Sequence, residues 1–302
     1  MTRTRRSLLK VAAASGAVAL AGCSSILGGS GGASETQWLY QPGTVGDVDH
    51  YLSLRYKPSA IAERAANFDD DVYDAMRSFG SSARDLVGFE FGTTDAQLAF
   101  GKNAVLAADF EADDVASTLE AEEFSDEDAY KNYDVYVGPD EDAAVGIGSS
   151  EVVVARSTGI FGSADNAEAV LEGILDVNAG DAESYAADNE DFKALTDAFG
   201  DSAIQSMRTY DEVESTDTDD GDFAGEVARG IDSVLVDDGI ETTFVRVFNE
   251  ASDIDDGDIE DWVDADDTFD EFQDVEISTN GRVVEVTGTE ATGAYDFYVG
   301  SA

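Results

Sequence analysis

The chain has one Cys, one His and three Pro in 302 residues. One Cys excludes an internal disulfide and any Cys-cluster metal site. One His leaves no His-rich metal chemistry, and three Pro leave no Pro-rich recognition segment. Basic residues are scarce as well: 17 Lys plus Arg stand against 66 Asp plus Glu, a formal net charge of -49. Four of the basic residues, Arg3, Arg5, Arg6 and Lys10, precede residue 23, where there is no acid; from Cys23 onward the balance is 13 against 66. Such a surface repels nucleic acid and anionic headgroups, so nucleic acid is excluded as a direct partner. No Asn-x-Ser/Thr sequon occurs, which argues against Asn-linked glycosylation. The hydrophobic fraction is 43% and the aromatic fraction 10%, so the acid decorates a folded body, not a disordered tail.

The N-terminus reads as an address. Basic residues lead into the apolar run Val11 to Leu20, and only 12 residues separate Lys10 from Cys23, too few for a membrane-spanning helix. Thr4-Arg5-Arg6-Ser7-Leu8-Leu9-Lys10 resembles a twin-arginine export motif, with Leu8 where that family prefers Phe. Leu20-Ala21-Gly22-Cys23 resembles a lipoprotein signal box, which implies cleavage before Cys23 and its lipidation. One acyl chain holds a protein weakly and two hold it stably, so a two-chain lipid is expected. The Gly- and Ser-rich stretch from Ser24 to Ser34 reads as a flexible tether. The expected organisation is a signal peptide over 1–22, the lipidated Cys23 and tether over 23–36, and two folded units over 37–180 and 181–302.

Acid is interleaved with apolar residues, as in Phe68-Asp69-Asp70-Asp71-Val72-Tyr73. At low salt such a body repels itself, and multimolar salt screens the repulsion. The composition is similar to that of secreted proteins of extremely halophilic archaea, and with the first 23 residues it resembles haloarchaeal surface lipoproteins. No calcium loop is present: Thr216 to Gly221 has Thr at positions 1 and 3, and Ser252 to Gly257 has Ser at 1 and Ile254 at 3, where an EF-hand needs acids. No metal or cofactor is expected.

Periodicity predicts strands at Val48 to Tyr56, Asp85 to Phe91, Ala96 to Phe100, Asn103 to Phe110, Tyr130 to Val137, Ala143 to Ile147 and Glu151 to Ala155. Later strands are predicted at Ala203 to Tyr210, Ser233 to Val236, Thr242 to Phe248, Val275 to Ser278, Val283 to Thr287 and Ala294 to Val299. Helices are predicted over Ser59 to Phe68, Asp71 to Phe79, Asp113 to Ala121, Ser163 to Asn178 capped by Ser163, Asn189 to Phe199, Phe223 to Gly230 and Ile254 to Val263. The order suggests an internal duplication, with Asn103 to Val137 matching Glu241 to Ile277, and Asp49 to Tyr56 matching Ala203 to Tyr210. The expected fold is α+β: two related units, each a mostly antiparallel sheet covered on one face by helices, with the ferredoxin-like order as a candidate.

Chemistry is sparse. His50 lies in a strand pattern, and no G-x-S-x-G elbow surrounds any serine. Gly159-Ile160-Phe161-Gly162-Ser163 could hold an anion at a helix start, but it lacks a following Lys and reads as a cap. Glu90 alternates with Phe89 and Phe91; on a buried face it would need a partner such as Arg55. Arg55, Arg84, Arg156, Arg208, Arg246 and Arg282 flank or enter strands, and Arg55 and Arg208 correspond under the duplication. Aromatics gather at Trp38, Tyr40, Tyr51 and Tyr56, and again at Tyr295, Phe297 and Tyr298. A final strand pairing with the first would tie the termini together; an exposed stripe would mark a protein-binding surface.

The residues with an assigned role are therefore Arg5 and Arg6 for export and Cys23 for lipidation, with no catalytic residue. The leading expectation is a noncatalytic lipoprotein on the outer face of the cell membrane, bound to the membrane through Cys23, with a protein-binding or envelope-structural role and a surface-layer or membrane protein as candidate partner. The alternative is a solute-binding lipoprotein that captures a small ligand between the two units. A third is an extracellular hydrolase. A flat apolar patch would favour assembly, a central cleft capture, and convergent buried carboxylates catalysis.

Overall fold

The alternating stretches Leu52 to Tyr56 and Ile204 to Thr209 meet at the middle of the molecule, where they pair antiparallel with Leu54 opposite Ser206. The computed structural model describes residues 36–41, 50–159, 162–237 and 239–297. In chain order the first half holds β1 (Leu52–Tyr56), α1 (Pro58–Ala62), α2 (Asp70–Ser78), α3 (Ser81–Val87), β2 (Thr94–Phe100), β3 (Asn103–Ala108) and α4 (Ala112–Ala121). It continues with β4 (Ser125–Asp126), β5 (Asp134–Val137), β6 (Ala143–Ile147) and β7 (Glu151–Arg156). A small ribbon of β8 (Thr158–Gly159) and β9 (Gly162–Ser163) leads to α5 (Ala167–Ala179). The second half holds α6 (Tyr185–Asp188), α7 (Glu190–Ala198), β10 (Ile204–Thr209), β11 (Glu226–Val236), β12 (Gly239–Phe248), α8 (Asp256–Ala265), β13 (Gln273–Asn280) and β14 (Val283–Glu290).

The fold is α+β, and both halves contribute to one 12-stranded sheet in the order β13-β14-β12-β11-β10-β1-β2-β3-β7-β6-β5-β4. Every neighbouring pair is antiparallel. The two halves follow one plan. Each starts at the centre with a strand and a hairpin, β1-β2-β3 or β10-β11-β12. Each then crosses through a helix, α4 or α8, to the outer edge and meanders back, so that β7 returns beside β3 and β14 beside β12. In the second half β12 and β13 run the same way with β14 between them, a split β-α-β and half of the ferredoxin-like order. The other flank of β12 is its hairpin partner β11, so the full βαββαβ order is not completed.

Helices cover both faces, not one. On one face α5, α6 and α7 pack Leu171, Ile174, Phe192 and Leu195 onto Tyr51, Leu98, Val105, Val153 and Val245. On the other, α1 and α2 bring Ile61 and Met76, and α8 brings Ile259 and Trp262, onto Leu54, Tyr56, Ile204, Phe244 and Val286. Beside them α3 and α4 seat Val87, Val115 and Leu119 on Ala104, Leu106, Val145 and Val154. A sheet buried on both faces explains the near-continuous apolar strands of β6 and β7.

Several expectations are corrected. Asp85 to Phe91 is not a strand: α3 occupies Ser81–Val87, and Gly88, at φ 77, ends it. The α5 cap is Asn166, whose Oδ1 accepts from the Ala169 N–H at 2.8 Å, while Ser163 lies in β9. Gly159 to Ser163 therefore opens no helix. Phe223 to Gly230 is no helix either, because β11 begins at Glu226. A β-bulge between Glu226 and Ala228 interrupts the strand alternation there, and Val227 packs on the α7 face while Ile231 packs on the other. Residues 294–297 form no strand; Tyr295 packs edge-on against Phe68, and Phe297 against Phe79. The first strand instead pairs with β10 and β2. Tyr298 lies outside the described residues.

Candidate functional site

The face carrying α1–α4 and α8 is not filled everywhere. Strand alternation brings Ser206 of β10, Leu52 and Leu54 of β1, Ala99 of β2 and Ala104 of β3 to that face. Three of these are small, and above them the helices stand apart. The result is a groove across the central strands, in two connected parts. The first, about 400 Å³, is lined by Leu52, Leu54, Phe79, Ala99, Gly101, Ser206 and Phe297. The second, about 470 Å³, shares Phe79, Ala99 and Gly101 and runs on to Gln97, Lys102, Asp142 and Arg156. Both volumes fall in the range of small-molecule sites. The groove has walls from both halves: Phe79 follows α2, and Phe297 belongs to the C-terminal segment.

Its two parts differ in polarity. The first is apolar except for Ser206, which is 1% exposed and whose Oγ has no hydrogen-bond partner. The second ends on two cations. Lys102 sits in the two-residue turn Gly101-Lys102 between β2 and β3, with Gly101 at φ 64. Arg156 closes β7, where Asn103 Oδ1 accepts its backbone N–H at 2.9 Å. Asn103 also donates to the Tyr40 hydroxyl at 3.2 Å, so this end is braced from the other face. Burial pushes Tyr40 up to about 12, opposed by that hydrogen bond.

Behind the groove wall lies a third cation, Arg84, only 2% exposed and without a carboxylate. It donates to Gln97 Oε1 at 2.5 Å, the Phe79 carbonyl at 3.1 Å, the Arg77 carbonyl at 2.5 Å and the Tyr56 hydroxyl. Its guanidinium carbon is 5.2 Å from the Phe91 ring centre. Burial pushes Tyr56 up to about 12, although Arg84 favours the phenolate. The Gln97 amide is fixed in turn, since its Nε2 donates to the Gly80 carbonyl at 3.1 Å. The wall is thereby rigid and positive.

The buried carboxylates do not converge on the groove. Glu226 accepts from Arg229 Nε at 2.9 Å and Nη2 at 3.0 Å, with Arg246 Nε at 3.5 Å. Asp232 accepts from Gln205 Nε2 at 3.0 Å and from the Ser202 hydroxyl. Glu151 accepts from the Tyr133 and Ser150 hydroxyls. No group of three or more His, Cys, Asp or Glu is placed to hold a metal ion among the described residues.

The other sequence candidates separate. Arg5, Arg6 and Cys23 lie outside the described residues. His50 Nε2 lies 3.4 Å from an Asp211 carboxylate oxygen. Glu90 is exposed, and Arg55 turns to the Ser202 carbonyl at 3.3 Å and Asp201 at 3.5 Å instead. Arg55 and Arg208 do not correspond. Arg208 lies opposite Leu52, two residues from Leu54, whereas Arg55 is one residue from it, so the two arginines point to opposite faces. Arg246 stacks 4.7 Å over Trp262, and Arg282 pairs with Asp191. The aromatics Trp38, Tyr40, Tyr51, Tyr56 and Tyr295 are buried and form no exposed stripe. Lys102 and Ser206 carried no signal in the sequence beyond the rarity of Lys.

No family model matches the chain, and no curated protein matches it. Among solved structures it is similar to crystal form III of TP0453, with a TM-score of 0.45 and 10% identity over 83% of this chain and 94% of that one. Crystal form I of TP0453 gives a TM-score of 0.43 at 10% identity, covering 83% and 93%, and form IV gives 0.43 at 8%, covering 84% and 94%. Among the described residues no helix is long and apolar enough to cross a membrane.

Proposed function

We propose that this chain is a noncatalytic, lipid-anchored binding protein on the outer face of the cell membrane, exported through Arg5-Arg6, held by lipid on Cys23, and capturing a small solute between its two halves. The observation that carries the capture reading is the groove, which is walled by both halves and contains an unpartnered buried hydroxyl and two unpaired cations. The envelope-assembly reading is less favoured. The large hydrophobic side chains exposed among the described residues are Leu52, at 38%, and Ile277, at 41%. Leu52 belongs to the groove, and Ile277 lies far across the sheet on the edge strand β13. The open β13 edge carries that second reading, since it presents unpaired backbone groups to a partner strand.

The test is extraction of small molecules from protein purified throughout in multimolar salt, compared with Ala99→Trp, whose indole would fill the part of the groove shared by both chambers. An equimolar compound released by the parent and absent from the folded variant supports capture. If neither protein yields a compound, and a panel of solutes shifts the melting temperature of neither, capture is rejected in favour of assembly at the β13 edge.

A further inference from the structure

We infer that the groove takes an organic monoanion with an apolar body: the head lies between Lys102 and Arg156, and the body lies along Ala99 and Phe79 towards Leu54 and Phe297. This rests on the capture reading above and specifies its ligand. The argument begins with where the few cations go. The chain has 66 acids, and among the described residues eight of the thirteen Lys and Arg find a carboxylate within 4.0 Å. Among the described residues those that do not are Arg64, Arg84, Lys102, Arg156 and Arg208. Two of these line the groove, and a third, Arg84, stands directly behind its wall through Gln97. Arg208 is in register with Leu52 at its apolar end. Arg64 lies elsewhere and donates to the Val236 carbonyl, and Arg84 is satisfied by neutral acceptors. Lys102 and Arg156 are left at one end of the groove without a carboxylate on an acidic surface, and an incoming anion supplies the missing partner.

The charge count sets the head. Asp142 lines the same end, so Lys102, Arg156 and Asp142 leave one net positive charge, which suits one negative charge and not two. The floor sets the body. Ser206 on β10 and Arg156 on β7 are four strand spacings apart, about 19 Å at the usual separation of 4.7–4.9 Å. Between them the floor is apolar, formed by Leu54, Ala99 and Ala104, with the buried Ser206 beneath the far end. A compact inorganic anion would leave the apolar chamber unused.

Isothermal titration in multimolar KCl with octanoate, octanol and octyltrimethylammonium tests this, since the three share a chain and differ in head charge. Octanoate should bind at least about tenfold more tightly than octanol, the size expected of a charged hydrogen bond, and the cation more weakly still. Lys102→Gln/Arg156→Gln should remove that advantage and leave octanol binding unchanged. Neither side chain forms an ion pair, so the variant should melt with the parent. Asp142→Asn should tighten octanoate. If octanol and octanoate bind alike, or the double variant keeps the preference, the monoanion assignment is overturned while capture in the groove stands. If none of the three binds, the monoanion assignment is overturned, and the capture reading is decided separately by the extraction and the solute panel.

Discussion

Replacing Arg229 with Met should be among the most damaging single substitutions in this protein. Glu226 is fully buried, at 0% exposure, where β11 begins. Arg229 supplies two hydrogen bonds to it, and a third, at 2.7 Å, to Asp222. Arg229 Nε also donates to the Tyr210 hydroxyl at 2.8 Å. Burial lowers the affinity of Arg229 for its proton, but Glu226 and its other partners outweigh this and raise it. Arg246 is driven the other way: desolvation dominates there, and Glu226, at 3.5 Å, only partly offsets it. Removing Arg229 leaves Glu226 with that longer contact and the Tyr210 hydroxyl. The cost should be about 3–5 kcal/mol, the usual result of breaking a buried pair from one side. Replacing the whole triad, Glu226→Leu/Arg229→Met/Arg246→Met, should cost less than the single change, because no charge is then left unpaired. Denaturant unfolding in multimolar KCl, followed by far-UV circular dichroism and Trp fluorescence, measures both; Trp262 lies under Arg246 and reports locally. Buried charges are screened little by salt, so the penalty should persist at high KCl. A single-variant penalty under about 1 kcal/mol, or a triple variant less stable than the single, would refute the reasoning.

Three further outcomes follow from the same structure. Tyr40 and Tyr56 have folded pKa values raised to about 12 from 10.0, so their contribution is intact below pH 10 and is lost as pH climbs from 10 to 12. Each should account for roughly 3 kcal/mol across that window; spectrophotometric titration beside stability curves checks it, and Tyr40→Phe/Tyr56→Phe should make the alkaline slope shallower, the rest coming from Tyr51, Tyr210 and Tyr295. Gly221→Ala should destabilise by at least about 1 kcal/mol, because φ is 67 and a Cβ would stand 2.9 Å from Trp262 Nε1; thermal melting measures it, and an unchanged midpoint contradicts it. Asn189→Ala should cost about 1 kcal/mol by uncapping α7, where Asn189 Oδ1 accepts from the Asp191 and Phe192 N–H groups at 3.0 and 2.8 Å; denaturant midpoints decide it.

The central strands were legible because their two faces differ. Leu52 to Tyr56 and Ala203 to Tyr210 alternate; that they pair with each other at the centre is a long-range relation that the repeated order did not foretell. The turn between β6 and β7 is legible from its Gly148-Ser149-Ser150 composition alone, and there the Gly148 N–H donates to the Glu151 carbonyl at 2.9 Å. The stretch from Ser81 to Phe91 misled because Val87-Gly88-Phe89 alternates over too few residues to separate a strand from a helix end. The start of β11 misled because its bulge breaks the two-residue alternation by which a strand is read. The two-sided burial of β6 and β7 erased the contrast that would have shown helices on both faces.

The sequence by itself determined the composition-level properties: an acidic body, no internal disulfide, and antiparallel strands mixed with capped helices. These are local or additive, so a single chain read in order contains them. Only the tertiary structure decided that the halves share one sheet, that Glu226 needs Arg229, and that Ser206, Leu54, Ala99, Ala104 and Arg156 line one hollow. Those five come from five strands, and the hollow exists because small side chains lie where the covering helices part, a relation between distant segments that no local pattern encodes.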